Sequence, residues 1–141
     1  MLDQNTSTQL KTLLQRLESP IEIIASLDGS EKSDKIKELV TEVAALSDQV
    51  TARFDGTNSR TPSFGIAKVG EQARVNFAGL PMGHEFTSLI LALLQVSGYA
   101  PKVSDEVLAQ IKGLNITADF DVFVSLSCDT CPDVVHALIL I

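Results

Sequence analysis

Ser125-Leu-Ser-Cys-Asp-Thr-Cys-Pro-Asp-Val-Val135 is the stretch on which the reading of this chain turns. It sets Cys128 and Cys131 in C-x-x-C spacing. An apolar run, Ile116 to Leu126, precedes the pair and reads as a buried strand. A helical segment, Pro132 to Ile141, follows it, and a proline suits the first helical turn. A helix N-terminus carries about half a positive charge and unpaired backbone N–H groups. Both favour the thiolate, the nucleophilic form, at Cys128. The i, i+3 spacing puts the second sulfur on the same face, within disulfide reach. Attack by Cys128 on a partner disulfide, then by Cys131 on the mixed disulfide, completes a two-electron transfer. The spacing alone is weak evidence; a strand before it and a helix after it favour a redox motif. Two other readings stand beside it. A zinc site would need two more ligands, and the chain offers only His84 and His136. The cysteines could also be a structural pair or idle thiols. His136 by itself reads as a surface residue of the last helix.

The chain has 141 residues, of which 45% are hydrophobic, so one domain with a proper core is expected. The formal net charge of -7 repels phosphate backbones and argues against nucleic acid as a partner. The longest apolar run, Ser88 to Leu94, is too short to span a membrane. Met1-Leu-Asp-Gln-Asn-Thr6 has no basic segment followed by an apolar one, so no secretory leader is expected. With two cysteines and no leader, the expected compartment is the reducing cytoplasm, where such a pair is more often catalytic or metal-binding than structural.

Periodicity organises the rest. Leu10, Leu13, Leu14 and Leu17 place an amphipathic helix over residues ~3–18, broken at Ser19-Pro20. Ile21–Ala25 reads as a buried strand, and Leu27–Ser30 as a turn in which Asp28 and Glu31 could form a capping box. Ile36, Leu39, Val40 and Val43 stripe the next helix. Val50–Phe54 is then a second strand, parallel to the first if that helix is a crossover. Arg60–Ile66 and Ala73–Ala78 read as an antiparallel hairpin, with Pro62 opening the first strand or forming a cis turn. A strongly apolar helix runs from about Gly83 to Ser97 and stops at Gly98 and Pro101. The order α-β-α-β-β-β-α predicts an α/β sandwich: a four-stranded mixed sheet flanked by helices. Ser104 then caps a short helix ending at Gly113, and the strand, C-x-x-C and last helix follow. This repeats the opening order and predicts that a second copy of the fold begins near residue 102. In the first copy the redox position is held by Asp28-Gly-Ser-Glu31, without cysteine.

Gly83-His84-Glu85-Phe86 is the second candidate site. Glu85 serves either as an acidic first-turn residue answering the helix dipole, or as an acid/base group for a cysteine across a contact. The sequence does not say whether the two sites meet.

The chain resembles the N-terminal part of the flavoprotein subunit of alkyl hydroperoxide reductase. The stretches that carry the resemblance are Met1-Leu-Asp3, Gln9-Leu-Lys11, Ile36-Lys-Glu-Leu39, Pro62-Ser-Phe64, Phe77-Ala-Gly79, Gly83-His-Glu-Phe-Thr-Ser-Leu89 and Ser125–Val135. The resemblance implies two fused thioredoxin-like folds, the first without redox cysteines and the second carrying the pair at Cys128 and Cys131. The expected division is residues 1–101 for the first fold and 102–141 for the truncated start of the second. It implies a thiol-disulfide oxidoreductase domain that passes electrons from an NADH- and FAD-containing part to the disulfide of the reductase's peroxiredoxin subunit. Cys128 would be the nucleophile, Cys131 the resolving thiol and Glu85 a proton-transfer partner near them. FAD and NADH are expected outside this chain, in its own C-terminal flavoprotein part, and a homodimer is expected at full length. Neither nucleic acid nor membrane is an expected partner. The chain thus reads as a fragment, weakly active or inactive by itself. The rival expectation is a non-catalytic thioredoxin-like interaction module with incidental cysteines.

Overall fold

The computed structural model describes residues 2–99, 104–114 and 117–140. Helix α1 (Gln4–Leu14) leads into strand β1 (Ile21–Ser26), helix α2 (Glu31–Ala45) and strand β2 (Val50–Arg53). Strands β3 (Ser63–Lys68) and β4 (Val75–Phe77) follow, then a 3-10 turn (Gly83–Glu85) that runs into α3 (Phe86–Val96). Helices α4 (Asp105–Lys112) and α5 (Cys131–Leu140) complete the described elements.

The sheet order is β2-β1-β3-β4. β1 pairs parallel with β2, Ile21 opposite Val50, and α2 supplies the crossover that parallel neighbours require. β3 pairs antiparallel with both β1 and β4, with Ile66 opposite Ile23 and Phe64 opposite Phe77. β3 is buried at every position but its last and β1 at every position but Ile24, as in a sheet covered on both faces. α2 packs on β1, β2 and β3; α3 packs on β3, with α1 against it. Leu14, Ile36, Phe64, Ile66, Leu89 and Leu93 are each no more than 1% exposed. Each such side chain contributes about 1.5–3 kcal/mol on burial. The mixed four-stranded α/β sandwich expected from periodicity is the observed one.

Local chemistry sets the element ends. The Asp3 carboxylate accepts from the Thr6 N–H at 2.7 Å and caps α1. α1 ends at Leu14, short of the expected ~18, because Gln15–Leu17 close in tighter turns ahead of Pro20. The expected Asp28/Glu31 capping box does not form. Ser30 is the N-cap of α2, its hydroxyl accepting from the Ser33 N–H at 3.2 Å. Asp28 stands one step further out, accepting from the Ser30 N–H at 3.0 Å and the Ser33 hydroxyl at 2.7 Å. Those bonds to Ser30 and Ser33 hold its carboxyl down at about 2. The Thr61–Pro62 bond is cis, directly before β3, so both expectations for Pro62 are met. Pro62, Lys32, Ile36, Leu80 and Leu126 border a cavity of about 440 Å³ beside the start of α2.

One expected element is missing. The strand placed over 116–126 is not formed: Ile116 lies outside the described residues, and 117–125 are irregular and unpaired. Phe120, Val122, Phe123, Val124 and Leu126 are exposed, Phe123 at 91%. A strand exists only through its ladder, and no described strand runs beside this segment. It is tied instead by the Arg60 guanidinium, which donates two bonds to Asp121, each 2.8 Å. Among the described residues, no helix is long and apolar enough to cross a membrane.

Candidate redox site

Cys131 opens α5 and Pro132 occupies its first turn, where its missing N–H has no helical acceptor to lose. Ahead of the helix, the Cys128 N–H donates to the Ser125 carbonyl at 3.0 Å and the Asp133 N–H to the Thr130 carbonyl at 3.2 Å. These two turns fold the four-residue segment back on itself. Cys128 and Cys131 are joined in a disulfide with Cα atoms 5.5 Å apart. The Cys131 N–H points at Cys128 Sγ, 3.2 Å away, and the Thr130 hydroxyl lies 3.7 Å from the same sulfur. When the disulfide opens, a negative charge on Cys128 has a backbone N–H and the start of a ten-residue helix to meet it. Both cysteines are half-buried, within reach of a partner.

The structure brings the two candidate sites together. The 3-10 turn Gly83–Glu85 packs against α5. The His84 N–H reaches the Leu126 carbonyl at 3.4 Å, and His84 Nε2 lies 3.2 Å from the Asp129 carboxylate, inside the C-x-x-C. Gly83 has a left-handed φ of +61°, and a Cβ there would stand 3.0 Å from the Leu126 carbonyl, so glycine is doubly required.

Glu85 is 2% exposed, which excludes a solvated first-turn acid. Its Oε2 accepts from the Ser88 hydroxyl at 2.7 Å, and its Oε1 has no partner among the described residues. His136 differs from the surface residue expected: its Nε2 is buried and has no partner among the described residues, because α5 packs against α3 and the 3-10 turn. Sequence reasoning missed Ser88, although its place three residues after Glu85 puts it on the same helical face. It also missed the His84–Asp129 pair, whose members lie too far apart along the chain to leave a local signal. Among the described residues, no group of three or more His, Cys, Asp or Glu side chains could hold a metal ion, so the zinc reading lacks its ligands.

No protein-family model matches the chain. Curated relatives do. The alkyl hydroperoxide reductase flavoprotein AhpF of Pseudomonas aeruginosa is 49% identical over 138 residues, 98% of this chain and 26% of the relative. The protein of that name from Pseudomonas putida is 51% identical, and that from Staphylococcus epidermidis 47%, each again over 98% of this chain. The N-terminal domain of alkyl hydroperoxide reductase AhpF from Enterococcus faecalis superposes with a TM-score of 0.83 at 25% identity, covering 99% of this chain and 73% of that one. The chain matches the N-terminal domain of AhpF. It spans about a quarter of the length of the curated relatives, 26% of the Pseudomonas aeruginosa protein. A protein disulfide oxidoreductase from Aeropyrum pernix shares the fold, with a TM-score of 0.77 at 19% identity over 99% of this chain. The thioredoxin-like sandwich expected from the sequence is therefore the fold of this chain.

Proposed function

We propose that this chain is a thiol-disulfide oxidoreductase domain that carries electrons to the disulfide of a peroxiredoxin, as part of an NADH-dependent alkyl hydroperoxide reductase. The observation that carries the reading is the Cys128–Cys131 disulfide at the mouth of α5, with the Cys131 N–H aimed at Cys128 Sγ. In the reduced protein, the Cys128 thiolate attacks one sulfur of the partner disulfide. A Cys128–partner bond forms, the partner S–S bond breaks, and the departing partner thiolate takes a proton. Cys131, having given up its proton, then attacks Cys128 Sγ; the Cys128–Cys131 disulfide forms and the second partner thiol leaves. Two electrons and two protons pass from this chain to the partner. Glu85 is our candidate for holding or accepting the proton, since it is a buried carboxylate on the turn that packs against α5.

We assign residues 1–101 to a first thioredoxin-like fold without redox cysteines and 102–141 to the start of a second. FAD and NADH, if used, belong to the length of the relatives that this chain does not span, because no Gly-x-Gly-x-x-Gly turn occurs here. The reductase's own peroxiredoxin, the flavoprotein part of the same protein, a homodimer and a cytoplasmic setting complete the proposal.

The test is a trap. Cys131→Ser leaves Cys128 free to attack but removes the resolving thiol. The oxidised peroxiredoxin of the same reductase should accumulate as a mixed disulfide with Cys131→Ser and not with Cys128→Ser. No adduct with either variant would refute the transfer role and leave the interaction module as the reading.

A further inference from the structure

We propose that His84 tunes the reactivity of Cys128 through Asp129, as a positioning residue supplied from outside the redox segment. The inference rests on the reading of Cys128 as the attacking thiol. Asp129 is the chain neighbour of Cys128, and its side chain is 86% exposed. A carboxylate there opposes a second negative charge on the adjacent sulfur. The cation that answers it is His84, whose Nε2 stands 3.2 Å from Asp129 Oδ1. Two backbone features hold the imidazole in place: the His84 N–H bond to the Leu126 carbonyl and the left-handed Gly83 lodged against that same carbonyl. The packed elements bring few other charges. The 3-10 turn carries Glu85, α5 carries Asp133 and His136, and α3 carries none. A protonated His84 offsets Asp129 and eases formation of the Cys128 thiolate; a neutral His84 leaves Asp129 uncompensated. Imidazoles change charge between about pH 5 and 8, so the redox pair is coupled to that range.

The size follows from exposure. A solvent-facing ion pair is worth about 0.2–1 kcal/mol, which corresponds to roughly half a pH unit, or about threefold in thiolate. The experiment is alkylation of the reduced protein with iodoacetamide, followed by peptide mass mapping, from pH 5 to 9. At pH 6, His84→Gln should alkylate Cys128 about threefold more slowly than wild type, and His84→Lys should restore the rate and extend it to pH 8. Asp129→Asn alone should raise the rate, and adding His84→Gln to it should change it by less than about 1.5-fold. Equal effects of His84→Gln in both backgrounds would overturn action through Asp129. An unchanged rate in His84→Gln or in Asp129→Asn would overturn the proposal outright. Preferred alkylation of Cys131 in the wild type is a separate outcome that refutes the underlying assignment of Cys128.

Discussion

Removing the Ser88 hydroxyl should cost stability because it strips a buried carboxylate of its one partner among the described residues. Ser88 is 0% exposed and Glu85 2%. The bond from Ser88 Oγ to Glu85 Oε2 is 2.7 Å, and Oε1 has no partner among the described residues. A hydrogen bond to a charged group contributes about 1.5–3 kcal/mol net. Ser88→Ala gains back about 0.5 kcal/mol because alanine suits the helix better. The expected loss is therefore about 1.5 kcal/mol at neutral pH, a fall of roughly 3–6 °C in Tm for a chain of this size. In a Glu85→Gln background the bond is between neutral groups and worth about 1 kcal/mol, so the same change should cost only about 0.5 kcal/mol. Urea unfolding of all four proteins, with m-values compared, measures both steps. A loss below about 0.5 kcal/mol in the Glu85 background, or an equal loss in both backgrounds, would refute the picture of a carboxylate held by Ser88. It would also remove the structural support for Glu85 as an oriented proton carrier beside α5.

Two further perturbations test other parts of the structure. Asp28 is held down to about 2 by its bonds to Ser30 and Ser33, below its unfolded value of about 3.9. Its contribution is thus complete above about pH 4 and is lost as pH falls through 2, so the stability difference between wild type and Asp28→Asn, followed by thermal unfolding, should shrink over that interval. Arg60→Ala breaks the two bonds to Asp121, both side chains being 57% exposed. Global stability should change by less than about 1 kcal/mol, while limited proteolysis within 117–126 should speed up; unchanged cleavage there would mean that the segment is held by something else.

The legible parts of this chain are those written in short-range code. The stripe Ile36, Leu39, Val40, Val43 and the caps at Ser30 and Ser104 act over one or two turns, so helix placement follows from neighbours along the chain. The Val50–Arg53 strand was readable as parallel to Ile21–Ser26 because a helix of 15 residues lies between them. The same reading failed at 116–126. Its apolar alternation was genuine, but alternation states only that a strand would suit the segment. Whether a ladder forms depends on another strand lying alongside, and none does among the described residues. At the redox site, the cysteines, their spacing and the helix that follows were plain from the residues. Which side chains surround them was not.

By itself, the sequence determined the elements, their order and the chemistry Cys128 and Cys131 are capable of, because hydrophobic period, capping and C-x-x-C spacing are local properties. Tertiary structure alone decided that Gly83-His84-Glu85 lies against the redox segment, that Glu85 is buried with only Ser88 to meet it among the described residues, and that Asp129 faces His84. Those facts depend on the packing of the 3-10 turn against a helix far along the chain, a separation over which no residue pattern carries a contact.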